Sequence, residues 1–159
     1  MKAAAAILAV VFAVAVSGCG SAHVAAAPPH PQAGCVLHAS VDGYPDEFAA
    51  LGITYSRHPP LPKEGWYGSD DPLSYKVMFH SIFHGYVLVR YRDGLPPATA
   101  QLLRAWVGAH ESARVAATPA PLDSGIRVDI AEWGHEWKCT TAAAVTPKLL
   151  ARVLALRGY

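Results

Sequence analysis

Three cysteines, at positions 19, 35 and 139, constrain this chain of 159 residues more than any other feature. Cys19 stands just past an unbroken apolar run, Ala3 to Val16, and belongs by position to the N-terminal segment. Cys35 and Cys139 lie near the two ends of everything that follows. In an oxidising compartment an even remainder of cysteines tends to pair. A Cys35–Cys139 bridge would close a loop of about 100 residues and contribute up to about 4–5 kcal/mol in the chain-entropy model. The alternatives are two buried thiols or a redox pair, and no CxxC spacing supports redox work.

That pairing presupposes export, and the N-terminus supplies the reason to expect it. Met1 and Lys2 make a short positive region ahead of the apolar run. The run is too short to span a bilayer and fits a secretory signal over residues 1–18. Its end, Val16-Ser17-Gly18-Cys19, resembles a bacterial lipobox. The resemblance implies cleavage before Cys19 and a diacylglyceryl group on its thiol. The simpler reading is a plain signal cut after a small residue. One acyl chain holds a protein marginally, whereas two or three make a durable anchor. Gly20 to Gly34 is small, Pro-rich and aperiodic, a tether reaching about 50 Å when extended. His23 and His30 are solvated residues of that tether. The expected organisation is a signal over 1–18, a lipid-anchored tether over 19–34 and one domain over 35–159. The expected location is the outer face of the cytoplasmic membrane, as a cell-envelope lipoprotein, with the membrane reached through the lipid.

Composition agrees with this division. Hydrophobic residues make up 52% of the chain and charged residues 16%, with a mean hydropathy of +0.21, but the excess sits in the first eighteen residues. No later stretch approaches the ~18 apolar residues of a spanning helix. Lys2 is the only charge before Cys19, so the remainder carries 12 basic against 12 acidic residues and no basic block. That balance argues against a nucleic-acid partner.

Along the domain, Pro45-Asp46 starts a short helical turn through Leu51, with Gly52 as its stop, and Ile53 to Ser56 reads as a short strand. A long Pro/Gly-rich loop follows from Arg57 to Pro72, with Trp66 and Tyr67 at its centre. Loops of this length tend to be functional; the two aromatics form either a binding loop or a plug in the core. Tyr86 to Arg92 is the clearest strand, with Val87, Val89 and Tyr91 on one side and Tyr86, Leu88 and Arg90 on the other. Pro96-Pro97 opens a helix that buries Leu102, Leu103, Trp106 and Val107. Arg114 to Thr118 and Ile126 to Trp133 read as strands. Thr146 and Pro147 are the N-cap and first position of a last helix, with Leu149, Leu150, Val153 and Leu154 as its apolar stripe and Gly158 as its end. The expected fold class is α+β: a small, mostly antiparallel sheet with two helices on one face.

Polar chemistry is concentrated in His80-Ser81-Ile82-Phe83-His84-Gly85. Histidines four apart share one face of a helix or of a strand, but only a helical turn lets both rings reach one metal. On a strand their Cα atoms lie about 13 Å apart. Gly85 permits a bend into the following strand, so a turn over 80–84 is expected. His135, flanked by Glu132 and Glu136, is the candidate third ligand. Imidazole ligands suit zinc or copper. The competing reading is a hydrogen-bonded structural pair, because Ser81 stands where a zincin places its Glu. No constellation of catalytic residues is found: there is no GxSxG elbow, and Asp70-Asp71 and Asp123-Ser124-Gly125 read as turns.

The stretch from His80 to Gly85, running into Tyr86-Val87-Leu88-Val89-Arg90-Tyr91, resembles the centre of the domain of unknown function 3105 family, found mainly in actinobacterial envelope proteins. That centre reads roughly His-x-Leu-Glu-His-Gly before a strand ending in Tyr. Pro59-Pro60 matches an upstream step, and Glu132-Trp133-Gly134-His135 is similar to a downstream Ala-Trp-Gly element. The resemblance spans roughly residues 52–157. The family's Glu is Phe83 here, and its upstream His is best matched by Trp66. It implies a site for a metal or small polar ligand at His80, His84 and His135, and it names no substrate.

Two readings follow. One is a lipid-anchored extracytoplasmic binding domain holding zinc, copper or a small polar ligand through those three histidines. The other is a structural or interaction lipoprotein, with packed histidines and Trp66–Tyr67 meeting an envelope protein partner. A hydrolase using metal-bound water is a weaker third.

Overall fold

The computed structural model describes residues 34–39, 49–54 and 56–157. The signal, Cys19, the tether before Gly34, Pro45-Asp46, Tyr55 and Gly158 lie outside the described residues.

Strand β3, Val87–Tyr91, is the strand read from alternation, and it organises the rest. Pro97–Ala109 forms helix α2, which returns the chain to β4, Val115–Pro119, parallel to β3. On the other side β5, Val128–Glu132, runs antiparallel to β3, and a hairpin through Gly134 leads to β6, His135–Cys139. Two edge strands complete the sheet: β1, Cys35–Ala39, antiparallel to β6, and β2, Gly65–Trp66, parallel to β4. The order among the described residues is β1-β6-β5-β3-β4-β2, an α+β sheet with three antiparallel and two parallel pairings.

Strand alternation separates two apolar clusters. Val87, Val89, Val115, Ala117, Val128, Ile130 and Trp137 pack with Leu103 and Val107 of α2. The same cluster takes Leu149, Leu150 and Val153 from α3, Pro147–Leu156. Thr146 caps α3 as read, its Oγ1 accepting the Leu149 amide at 3.2 Å, with Pro147 at the first helical position. The alternate residues Leu88, Ala116 and Ala131 pack with Met78 and Ile82 of a third helix, α1, Tyr75–Phe83.

Several expectations are corrected. Two helices were read, and α1 adds another because only the segment 80–84 carried a visible turn signal. Strands β1 and β6 carry no clean alternation and are short: Cys35–Ala39 has His38 as its one polar residue, and His135–Cys139 has two adjacent polar residues at its start. Of the segment 53–56, the described residues form no strand: Thr54 exchanges backbone hydrogen bonds with Arg57 as an isolated bridge. The long loop contains β2, whose backbone pairs with β4.

Cys35 and Cys139 are bonded, and they are also direct cross-strand partners in β1 and β6. Strand β1 buries little beyond Cys35 itself, so burial alone holds that edge weakly. The bond, across a separation of 104 residues, therefore fastens an otherwise exposed edge. The native chain should accept no thiol-alkylating reagent at 35 or 139. The Cys35→Ser/Cys139→Ser double variant should lose up to about 4–5 kcal/mol of unfolding free energy in urea titration. An unchanged urea midpoint would remove the bond from any role in stability.

Candidate functional site

Helix α1 exists because Ser74 caps it, Oγ accepting the Val77 amide at 3.4 Å, and because Met78 and Ile82 recur on its sheet-facing side. It ends in a Schellman motif. Gly85, at φ +77°, donates to the Ile82 carbonyl, and Tyr86 donates to the Ser81 carbonyl. The Ser81 hydroxyl is spent on the Val77 carbonyl at 2.6 Å, so it is a helix-internal bond and not a nucleophile.

This turn places His80 and His84 on one helix face, where the rings meet edge to face with centroids 4.5 Å apart. A third imidazole joins them from the loop before Pro59. His58 lies 4.9 Å from His80 and 6.5 Å from His84, centroid to centroid. His80 is 2% exposed, and its Nδ1 has no hydrogen-bond partner. Burial lowers its pKa, and His84 and His58 lower it further, so this ring is neutral at pH 7. His58 and His84 are exposed at the rim. The His58 Nδ1–H donates to the Pro59 carbonyl at 3.3 Å, which leaves Nε2 as its open nitrogen.

His135 is engaged elsewhere. Its Nδ1 is 2.5 Å from Glu132 Oε1, and by strand alternation it shares the sheet face of Trp137 and Cys139, not the α1 face. Burial raises the pKa of Glu132, while His135 and Arg157 act in the opposite sense. The third imidazole at the pair is thus His58 in place of His135. Sequence reasoning missed it because His58 sits 22 positions upstream in a loop. The Pro59-Pro60 step beside it was the available signal. Among the described residues no three His, Cys, Asp or Glu side chains are placed as they stand to hold one metal ion.

Trp66 and Tyr67 lie in the sheet layer. Trp66 stacks on Tyr91 with centroids 4.7 Å apart, and the Arg104 guanidinium covers its ring at 4.7 Å. Tyr67 donates its hydroxyl to the Lys63 carbonyl and its amide to Ala117, and its own carbonyl accepts the Tyr91 hydroxyl. Both are partly buried by these contacts. Phe83, at the family's Glu position, is exposed and meets Trp133 edge to face at 5.1 Å.

Beyond α1 the same sheet face turns ionic. One terminal nitrogen of Arg90 serves two carboxylates, Asp129 at 2.7 Å and Glu136 at 2.6 Å. Asp129 is almost fully buried, its second oxygen has no partner, and neither has Arg90 Nε. Burial pushes the Asp129 carboxyl up to about 7 against the pull of Arg90, with Glu136 adding to the rise.

A family model described as a protein of unknown function, DUF3105, matches residues 44–151. No curated protein and no solved structure matches.

The raised Asp129 pKa fixes the sign of a pH effect. The folded state holds this proton more tightly than the unfolded one, so the contribution is fully present below pH 4 and lost as pH rises through about 7. Urea titrations between pH 4 and 8 should show wild type losing stability relative to Asp129→Asn, by at most about 4 kcal/mol. Parallel pH profiles for the two proteins would show that Asp129 is ionised throughout.

Proposed function

The chain belongs to the DUF3105 family, and from that footing we propose a lipid-anchored extracytoplasmic binding domain, held through Cys19, whose His58, His80 and His84 take a zinc or copper ion. The observation that carries it is the convergence of three imidazoles around a buried nitrogen with no partner. A nitrogen ligand sits about 2.0–2.1 Å from zinc, which puts each ring centre about 3.2 Å from the ion. Two such rings on a tetrahedral ion are then about 5.2 Å apart, and the observed separations of 4.5, 4.9 and 6.5 Å bracket that value.

The ring positions suit a shared ion, whereas the nitrogen directions do not yet. Rotation of the exposed His58 and His84 rings about χ2 exchanges nitrogen and carbon positions and leaves the centroids nearly in place. The lowered pKa of His80 keeps it in the neutral form that a metal requires. Three protein ligands would leave a fourth position open for a small polar group. The Cys35–Cys139 bond fits an oxidising compartment and so supports export.

The test is metal content. The full chain, purified in detergent and dialysed, should retain about one zinc or copper ion by plasma mass spectrometry. His80→Ala and the exposed-site variant His58→Ala should each lose it, while His135→Ala keeps it. No retained ion, or retention unchanged in both His80→Ala and His58→Ala, would leave the structural or interaction lipoprotein as the reading.

A further inference from the structure

A concavity opens on the α1 side of the sheet, past the end of the apolar cluster. It has a volume of about 670 Å³, within the range of small-ligand sites. Its walls are of two kinds. Leu73, Met78 and Pro121 supply apolar surface, and Arg90, Arg92 and Arg127 supply three guanidinium groups. None of the three clustered histidines lines it.

The guanidinium groups gather here for a reason of register. Arg90 and Arg92 alternate along β3 and its continuation, and the Arg92 amide donates to the Arg127 carbonyl across the sheet. All three thus fall on one face. Their obligations differ. Arg90 is committed to Asp129 and Glu136. Arg92 donates to the carbonyls of Leu122, Asp123 and Ile126, which are neutral acceptors. Arg127 makes one long bond, 3.4 Å, to the Gly94 carbonyl. Among the described residues neither Arg92 nor Arg127 forms an ion pair, and the nearby Asp123 is taken by Lys138. Asp93, the single carboxylate in the wall, accepts the Ser69 hydroxyl at 2.5 Å. Three guanidinium groups and one carboxylate therefore line the cavity beside an apolar surface, and two of the three guanidinium groups have no ion-pair partner among the described residues.

We propose that this cavity binds a small organic carboxylate with an apolar body. The carboxylate would lie on the planar fork of Arg127, with Arg92 offering its remaining nitrogen, Nη1, beside it. The body would cover Leu73, Met78 and Pro121. An inorganic anion would leave that apolar wall wet, and a neutral ligand would leave the guanidinium groups unanswered.

A matched pair of probes tests this. Equilibrium dialysis of 2-naphthoate and its neutral isostere 2-naphthamide is run against the full chain in lipid nanodiscs, with empty nanodiscs subtracted. The acid should be retained at about one per chain, and the amide at least tenfold more weakly. Arg127→Gln, a change at the solvent side of the site, should weaken the acid at least tenfold at an unchanged melting temperature. Ala120→Trp, which fills the cavity, should abolish retention. Equal binding of acid and amide, no retention of the acid, or undiminished retention in Arg127→Gln would overturn the proposal. The outcome is independent of the histidine site, because His80→Ala should leave naphthoate retention as it is.

Discussion

The first three residues of strand β3 have water on neither side. Val87, Leu88 and Val89 are fully buried, although alternation points them to opposite faces. A strand in that position needs cover above and below. Helices α2 and α3 cover the side carrying Val87 and Val89, and α1 covers Leu88. Nine residues of helix rise about 13.5 Å, so α1 covers part of its face and leaves the rest open. The layout of both candidate sites follows from this short cover.

Where α1 ends, its last turn must release the chain directly into β3. The Gly85 motif does so, and it leaves His80 inside and His84 at the rim. Where α1 gives no cover, the sheet face carries charges instead of methyl groups. Arg90, Asp129 and Glu136 then satisfy one another incompletely, with one oxygen of Asp129 and Arg90 Nε left over. Burial of two carboxylates around one guanidinium nitrogen is costly unless one keeps its proton, which is the sense of the Asp129 shift.

Local signals carried much of the fold. The alternation of Tyr86 to Arg92, the Pro96-Pro97 start and the Thr146-Pro147 cap each depend on residues within one turn or one strand, and β3, α2 and α3 stand where those signals place them. Strands β1 and β2 escaped notice because each is short and is held by its neighbour: β1 by β6 and the disulfide, β2 by β4. The site was half legible. The spacing of His80 and His84 announced a shared face if helical, and the helix supplied it. His135 was chosen for its flanking carboxylates, yet those same neighbours claim it, since Glu132 binds its ring. His58 had only a Pro-Pro step to mark it, and loop path is not written in periodicity.

By itself the sequence determined the pairing logic of Cys35 and Cys139, the family, the α+β class and the starts of α2 and α3, because these rest on chain-local chemistry or on arithmetic over few cysteines. Only the tertiary structure decided which third histidine meets the pair, that Trp66 is stacked on Tyr91, and that three arginines line one cavity. Those outcomes depend on loop path, on strand register and on which face a short helix covers, and a register shift of one residue would turn Trp66 and the strand arginines to the other side.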